Sequence, residues 1–130
     1  MHVLLVEDEI HVRRALARSM TAWGYAVIEA EDGRAALNAL VGTAFDLIVL
    51  DVNLPDMTGW DVLRSMRTAG ALEVPVIVIS AIAPSVDRQH EFRPFGVLHK
   101  PFPIASLQRL LSLAGSWQGG VPGMKGGFGG

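Results

Sequence analysis

Short apolar runs alternate with amphipathic stretches along most of this 130-residue chain. The apolar runs are rich in Val, Ile and Leu and stop at turn-forming or charged residues. That pattern is typical of strands buried on both faces of a sheet. It predicts five strands, at Val3–Val6, Tyr25–Glu29, Phe45–Leu50, Val74–Ile79 and Gly96–Leu98.

Between these runs, apolar residues recur at three- and four-residue spacing, which indicates helices with one buried face. The spacing predicts helices at Ile10–Trp23, Arg34–Val41, Gly59–Thr68 and Ser85–Arg93, and a last one from Pro103 onward. The fourth should be short because prolines bracket it. On the first and last helices we expect these buried residues: Val12, Leu16, Met20, Trp23, Ile104, Leu107, Leu110 and Leu111. The first helix should present Arg13, Arg14 and Arg18 to solvent.

Strand and helix alternate five times, which predicts parallel strands joined by right-handed crossovers. The expected fold is α/β, a flavodoxin-like doubly wound (βα)5 three-layer sandwich with strand order 2-1-3-4-5 and a shortened or irregular fourth helix. That order places the first and third strands together at the centre, with the switch point between them. Residues 1–114 should form the domain. Residues 115–130 hold eight of the 14 glycines and should form a flexible tail.

Composition and charge argue against several classes of partner and metal site. The formal net charge of −2 argues against a nucleic-acid partner, which a basic surface would attract. The chain has no cysteine, which excludes disulfides and thiolate metal sites and suits the cytoplasm. No apolar run approaches the length of a membrane span, and we expect no membrane partner.

Polar groups stand at the carboxyl ends of four strands. They are Glu7, Asp8, Asp51, Ser80 and Lys100. Each alone has an ordinary interpretation as a helix cap, a turn residue or a surface charge. Together they lie at the sheet edge where ligands bind in open α/β folds. Clustered carboxylates without His or Cys suit Mg²⁺, and a carboxylate facing a hydroxyl and an ammonium suits phosphoryl transfer.

Four sequence motifs carry a family resemblance. They are Leu5-Val6-Glu7-Asp8-Glu9, Leu50-Asp51-Val52-Asn53-Leu54-Pro55-Asp56-Met57-Thr58-Gly59, Ser80-Ala81 and Lys100-Pro101-Phe102. In this order they resemble the receiver domain of two-component response regulators over about residues 1–114. The resemblance implies a signalling switch that catalyses only its own phosphorylation and dephosphorylation. Because one helix and a glycine-rich tail follow Lys100, we expect a stand-alone receiver without a DNA-binding output domain.

The resemblance also implies residue roles. Asp51 would accept the phosphoryl group, and Asp8, Asp51, the Asn53 carbonyl and (through water) Glu7 would bind Mg²⁺. Ser80, followed by Ala81, would be the switch hydroxyl and Lys100 the phosphate-sensing cation. A cis bond would join Lys100 to Pro101. The phosphodonor would be a histidine kinase or histidine phosphotransfer protein, the effector an unidentified protein, and the chain a monomer or weak homodimer.

Two departures from the family pattern predict an unusual output face. Receivers usually carry an aromatic residue three positions before the lysine, where this chain has Val97. The interval from Ser80 to Lys100 is also short. Phe92 or Phe95 could supply the missing ring.

Three other functions remain open from the residues alone. A phosphatase with an aspartyl nucleophile would need a second carboxylate at position 53, where Asn53 stands. A phosphorylation-independent interaction module would not need the complete set of acid, hydroxyl and lysine. A mononucleotide-binding domain would need glycines after the first strand, where Glu7-Asp8-Glu9 stands.

Overall fold

A computed structural model of the protein describes residues 1–70 and 74–116. Five strands alternate with five helices in it. The strands are β1 His2–Val6, β2 Ala26–Ala30, β3 Leu47–Asp51, β4 Val76–Ser80 and β5 Gly96–His99. The helices are α1 Ile10–Ala22, α2 Gly33–Gly42, α3 Gly59–Thr68, α4 Val86–Phe92 and α5 Ile104–Gly115. Residues 117–130, which hold most of the predicted tail, lie outside the described part.

The strands form one parallel sheet in the order β2-β1-β3-β4-β5, which confirms the predicted fold and strand order. Every residue of the central strands β3 and β4 is buried, as expected when helices cover both faces of a parallel sheet. One apolar core lies between the sheet and α2, α3 and α4, and the other lies between the sheet and α1 and α5.

The end of α4 shows why that helix is short. Ser85 caps its start by accepting a hydrogen bond from the Arg88 N–H at 3.1 Å. Arg93 then adopts a left-handed conformation with φ of 46° just before Pro94, which cannot continue a helix. The seven residues of α4 confirm the predicted shortening.

Two predicted helix faces need correction. Val12 and Ile104 were expected to be buried, but they are 38% and 45% exposed. The buried residues of α1 are Arg13, Leu16, Ala17 and Met20, so Leu16 and Met20 are buried as predicted, but the buried face begins at Arg13 and not at Val12. An arginine can occupy this face because its guanidinium finds polar partners there. On α5 the buried stripe starts one turn later, at Leu107.

Within residues 1–70 and 74–116, every helix is too short or too polar to span a lipid bilayer.

Candidate functional site

The acidic residues of two central strands meet at one edge of the sheet. β1 pairs with β3, with Val6 opposite Leu50. Glu7 and Asp8, which follow β1, therefore lie beside Asp51, which is the last residue of β3. Carboxylate oxygens from Glu7, Asp8 and Asp51 lie within 4.8 Å of one another. Glu7 and Asp51 are buried and Asp8 is exposed. The structure thus brings together the three carboxylates that the sequence placed at this edge.

Lys100, which follows the edge strand β5, reaches the same cluster of carboxylates. Its backbone N–H donates to the Ser80 carbonyl at 2.9 Å, and the expected cis bond to Pro101 is present. Its ammonium donates to Asp51 Oδ2 at 2.5 Å and to Glu7 Oε1 at 3.2 Å. One cation therefore bridges the two buried acids.

Burial and crowding set the charge of this cluster. Burial, together with the hydrogen bond and charge of Asp51, raises the pKa of Glu7 from 4.5 to about 7, although Lys100 and the Glu9 N–H oppose the rise. Burial also disfavours the charged form of Lys100, but the carboxylates of Asp51 and Glu7 outweigh it and raise the pKa of the ammonium. One ammonium thus leaves negative charge uncompensated near neutral pH.

The backbone around Asp51 holds its carboxylate in place. The Asn53 N–H donates to Asp51 Oδ1 at 2.8 Å, so each carboxylate oxygen accepts one hydrogen bond. Gly59, at the start of α3, lies so close to the strand end that a Cβ there would be 2.6 Å from the Asp51 carbonyl oxygen. Thr58 and Asp61 form a capping box that fixes this helix start. The motif after Asp51 thus folds tightly back on the strand.

Ser80 ends β4 next to Asp51, but its hydroxyl bonds to the following loop. The Ser80 hydroxyl donates to the Ile82 carbonyl and accepts from the Ile82 N–H at 3.2 Å. Ser80 and Asp51 line a common cavity. Val97 is 36% exposed on β5, opposite Val78.

The two aromatic residues considered as substitutes for position 97 lie in different cores. Phe92 stacks on Trp60 of α3 with ring centroids 5.2 Å apart, and Phe95 packs against the core on the α1 and α5 side. The guanidinium carbons of Arg64 and Arg67 both lie 5.3 Å from the Phe92 centroid. Phe92 therefore joins α4 to α3.

Arg13 is buried and bonded to the site, although its charge predicted a solvent-facing position. Arg13 is 7% exposed; it donates to the Glu7 carbonyl and to Glu29 Oε1, each at 3.0 Å. It links α1 to the end of β1 and to β2. A signal was present, because Arg13 is in helical register with Leu16 and Met20.

Asp56 was also missed. Its two oxygens accept hydrogen bonds from the first N–H groups of α2, at 2.8 Å from Gly33 and 2.9 Å from Arg34. These bonds hold the pKa of Asp56 below its usual range. They fasten the loop after Asp51 to the neighbouring helix.

The donor set fits a hard divalent cation. Three carboxylates supply only oxygen ligands, and Mg²⁺ prefers carboxylate and carbonyl oxygens over nitrogen and sulfur. Two of the acids are buried beside a single ammonium, so a cation would offset their mutual repulsion.

Comparison with known proteins gives a consistent picture. A family model described as the response regulator receiver domain matches residues 3–112. The probable transcriptional regulatory protein SilR of Salmonella typhimurium is 34% identical over 110 residues, which are 82% of this chain and 47% of SilR. The transcriptional regulatory protein KdpE of Mycobacterium tuberculosis is 45% identical over 86 residues, 66% of this chain and 37% of KdpE. The chain spans about half or less of these relatives.

Solved structures share the fold over almost the whole described region. The chemotaxis response regulator CheY4 of Vibrio cholerae superposes with a TM-score of 0.80 at 29% identity, covering 87% of this chain and 97% of CheY4. The receiver domain of the Francisella response regulator 1452 gives a TM-score of 0.78 at 26% identity, covering 90% and 98%.

Proposed function

Since this chain belongs to the response regulator receiver domain family, we propose that Asp51 accepts a phosphoryl group from a histidine kinase or histidine phosphotransfer protein. The observation that carries the proposal is the position of the Asp51 carboxylate. It is 2% exposed, it lies among Glu7 and Asp8, and it is paired with Lys100. A carboxylate held beside a cation at a strand end suits nucleophilic attack on phosphorus.

The chemistry needs a nucleophile and compensation for negative charge. A carboxylate oxygen of Asp51 forms the new O–P bond while the bond from phosphorus to the donor breaks, with its electron pair leaving on the donor atom. The Lys100 ammonium holds positive charge beside this oxygen and offsets charge on the transferred group. Asp8, Asp51, the Asn53 carbonyl and, through water, Glu7 would hold Mg²⁺, which neutralises phosphoryl oxygens when bound.

The readout of phosphorylation starts at Ser80. Its hydroxyl, now bonded to Ile82, would turn to the phosphoryl group and draw the loop after β4 with it. Because Val97 offers no ring to follow this movement, the change would pass to α4, which Phe92 joins to Trp60. The output face would therefore be atypical, because it has no aromatic ring at position 97.

The effector of this receiver would be an unidentified protein. We propose residues 1–114 as a receiver able to act alone, as a monomer or weak homodimer in the cytoplasm, with 115–130 as its tail. The expectation of no nucleic-acid partner applies to these residues only. Relatives that are about twice as long are named as transcriptional regulators, which argues against extending it to any longer protein.

Intact mass after incubation with Mg²⁺ and acetyl phosphate tests the proposal. The wild type should gain about 80 Da, the mass of one phosphoryl group, and Asp51→Asn should not. Addition of EDTA should prevent the gain. No adduct on the wild type would favour the interaction module, and continuous hydrolysis of added phosphate esters would favour the phosphatase.

A further inference from the structure

A cavity opens from Asp51 toward α3 and α4. Its volume is about 200 Å³, and its lining includes Asp51, Asn53, Ser80, Trp60 and Arg88. That volume lies below the roughly 300–1,000 Å³ of pockets for drug-sized ligands, so the cavity suits a small molecule. Lys100 and Asp8 do not line it. The cavity therefore approaches the nucleophile from a side that the acidic cluster leaves open.

Arg88 is the only lysine or arginine among the described residues that line this cavity. Its guanidinium carbon lies 5.8 Å from the centroid of Trp60, whose ring forms part of the wall. Its ion pair is loose: Arg88 Nη1 is 3.9 Å from Glu91 Oε1, while Arg64 already pairs with the other oxygen of Glu91 at 3.1 Å. Arg88 can thus turn to an anion in the cavity at little cost.

Phosphoryl transfer proceeds roughly in line, so the leaving group lies across the phosphorus from Asp51. We propose that the cavity is a leaving-group subsite for small acyl phosphates, in which Arg88 neutralises the departing carboxylate. In this step the Asp51 oxygen forms the O–P bond and the bond from phosphorus to the acyl oxygen breaks. The electron pair stays on that oxygen as carboxylate, so no proton moves. Arg88 then acts as a specificity-determining residue, and the proposal rests on phosphorylation of Asp51.

Two phosphodonors with different leaving groups separate this role from a general effect. Acetyl phosphate releases acetate, an anionic carboxylate, whereas phosphoramidate, protonated on its nitrogen, releases neutral ammonia. Rates of formation of the phosphorylated protein are measured by intact mass with each donor and saturating Mg²⁺. The variants are Arg88→Gln, Arg88→Lys and Arg109→Gln, which makes the same charge change at an exposed position of α5.

Arg88→Gln should slow labelling by acetyl phosphate about three- to tenfold, since a charge-assisted hydrogen bond at a partly exposed site is lost. The same variant should change labelling by phosphoramidate by less than about twofold. Arg88→Lys should recover part of the rate with acetyl phosphate, and Arg109→Gln should match the wild type with both donors.

Two results overturn the subsite while leaving the proposed function intact. One is normal labelling of Arg88→Gln by acetyl phosphate, and the other is an equal loss with both donors. A wild type that neither donor labels would refute the proposed function and the subsite together.

Discussion

Replacing Glu7 with glutamine should stabilise the protein in the absence of metal, and the gain should grow as pH rises. Glu7 is fully buried, and its oxygens accept hydrogen bonds from Lys100 at 3.2 Å and from the Glu9 N–H at 3.0 Å. Glutamine keeps the shape and one acceptor, and its amide can donate to Asp51. The substitution therefore removes a buried charge without opening a cavity.

The magnitude follows from the pKa of Glu7, which rises from 4.5 to about 7 through burial and the proximity of Asp51. Below pH 4.5 Glu7 is protonated in both the folded and the unfolded chain. Above that pH the unfolded chain loses the proton first, so the free energy of unfolding falls until about pH 7. The full difference is about 3 kcal/mol, at about 1.4 kcal/mol per pKa unit. About 1 kcal/mol of it is lost by pH 5 and nearly all by pH 8.

Urea unfolding in EDTA at pH 5 and pH 8 measures this difference. The free energy of unfolding of Glu7→Gln should exceed that of the wild type by about 1 kcal/mol at pH 5 and by about 3 kcal/mol at pH 8. The raised pKa of Lys100 does not affect the comparison, because its contribution disappears only at pH values above 10.5. Glu31→Gln, the same change at an exposed position, should follow the wild type at both values. Saturating Mg²⁺ should reduce the difference in unfolding free energy between Glu7→Gln and the wild type at pH 8, since it stabilises the folded wild type.

A Glu7→Gln variant that is no more stable than the wild type at pH 8 would contradict a destabilising buried charge at Glu7. An equal gain in stability at both pH values would also contradict it, because a buried carboxylate stops destabilising the fold when it is protonated.

Three further substitutions test separate parts of the site. Asp8→Ala should abolish Mg²⁺-dependent labelling of Asp51 by intact mass while leaving the apo fold as stable or more stable; a large fall in melting temperature would contradict this. Gly59→Ala should cost about 2 kcal/mol or more in urea unfolding, because its Cβ would meet the Asp51 carbonyl oxygen at 2.6 Å. Gly42→Ala has open space at its Cβ and should not destabilise the protein, so equal effects at the two glycines would refute the steric argument. Phe92→Ala should cost about 3 kcal/mol and weaken the near-UV signal of Trp60, and an unchanged urea midpoint would show that α4 is not held by this contact.

The fold was predictable because apolar runs and helical spacing in this chain agree with each other. The central strands are buried on both faces, so every position from Leu47 to Leu50 carried the same signal. Once the strands were predicted, the residue at which each strand ends was also fixed. The amino-acid pattern alone could therefore place Glu7, Asp8, Asp51 and Lys100 at the same edge of the sheet.

The sequence was less informative where a polar side chain is buried. Arg13 was assigned to solvent on its charge, but its guanidinium donates to the Glu7 carbonyl, just after β1, and to Glu29 in β2. The bond of Asp56 to the start of α2 is likewise a contact between segments distant in sequence. Patterns along one helix do not report such contacts, because they depend on how elements are placed against each other.

The most direct test of the account is to locate the modified residue. Borohydride reduction of protein treated with Mg²⁺ and acetyl phosphate converts an aspartyl phosphate to homoserine, which peptide mass mapping can place in the sequence. Homoserine should appear at position 51 and at no other position, and none should appear in Asp51→Asn. A stable phosphoryl group on Ser80 or His99, or no modification of the wild type, would contradict it.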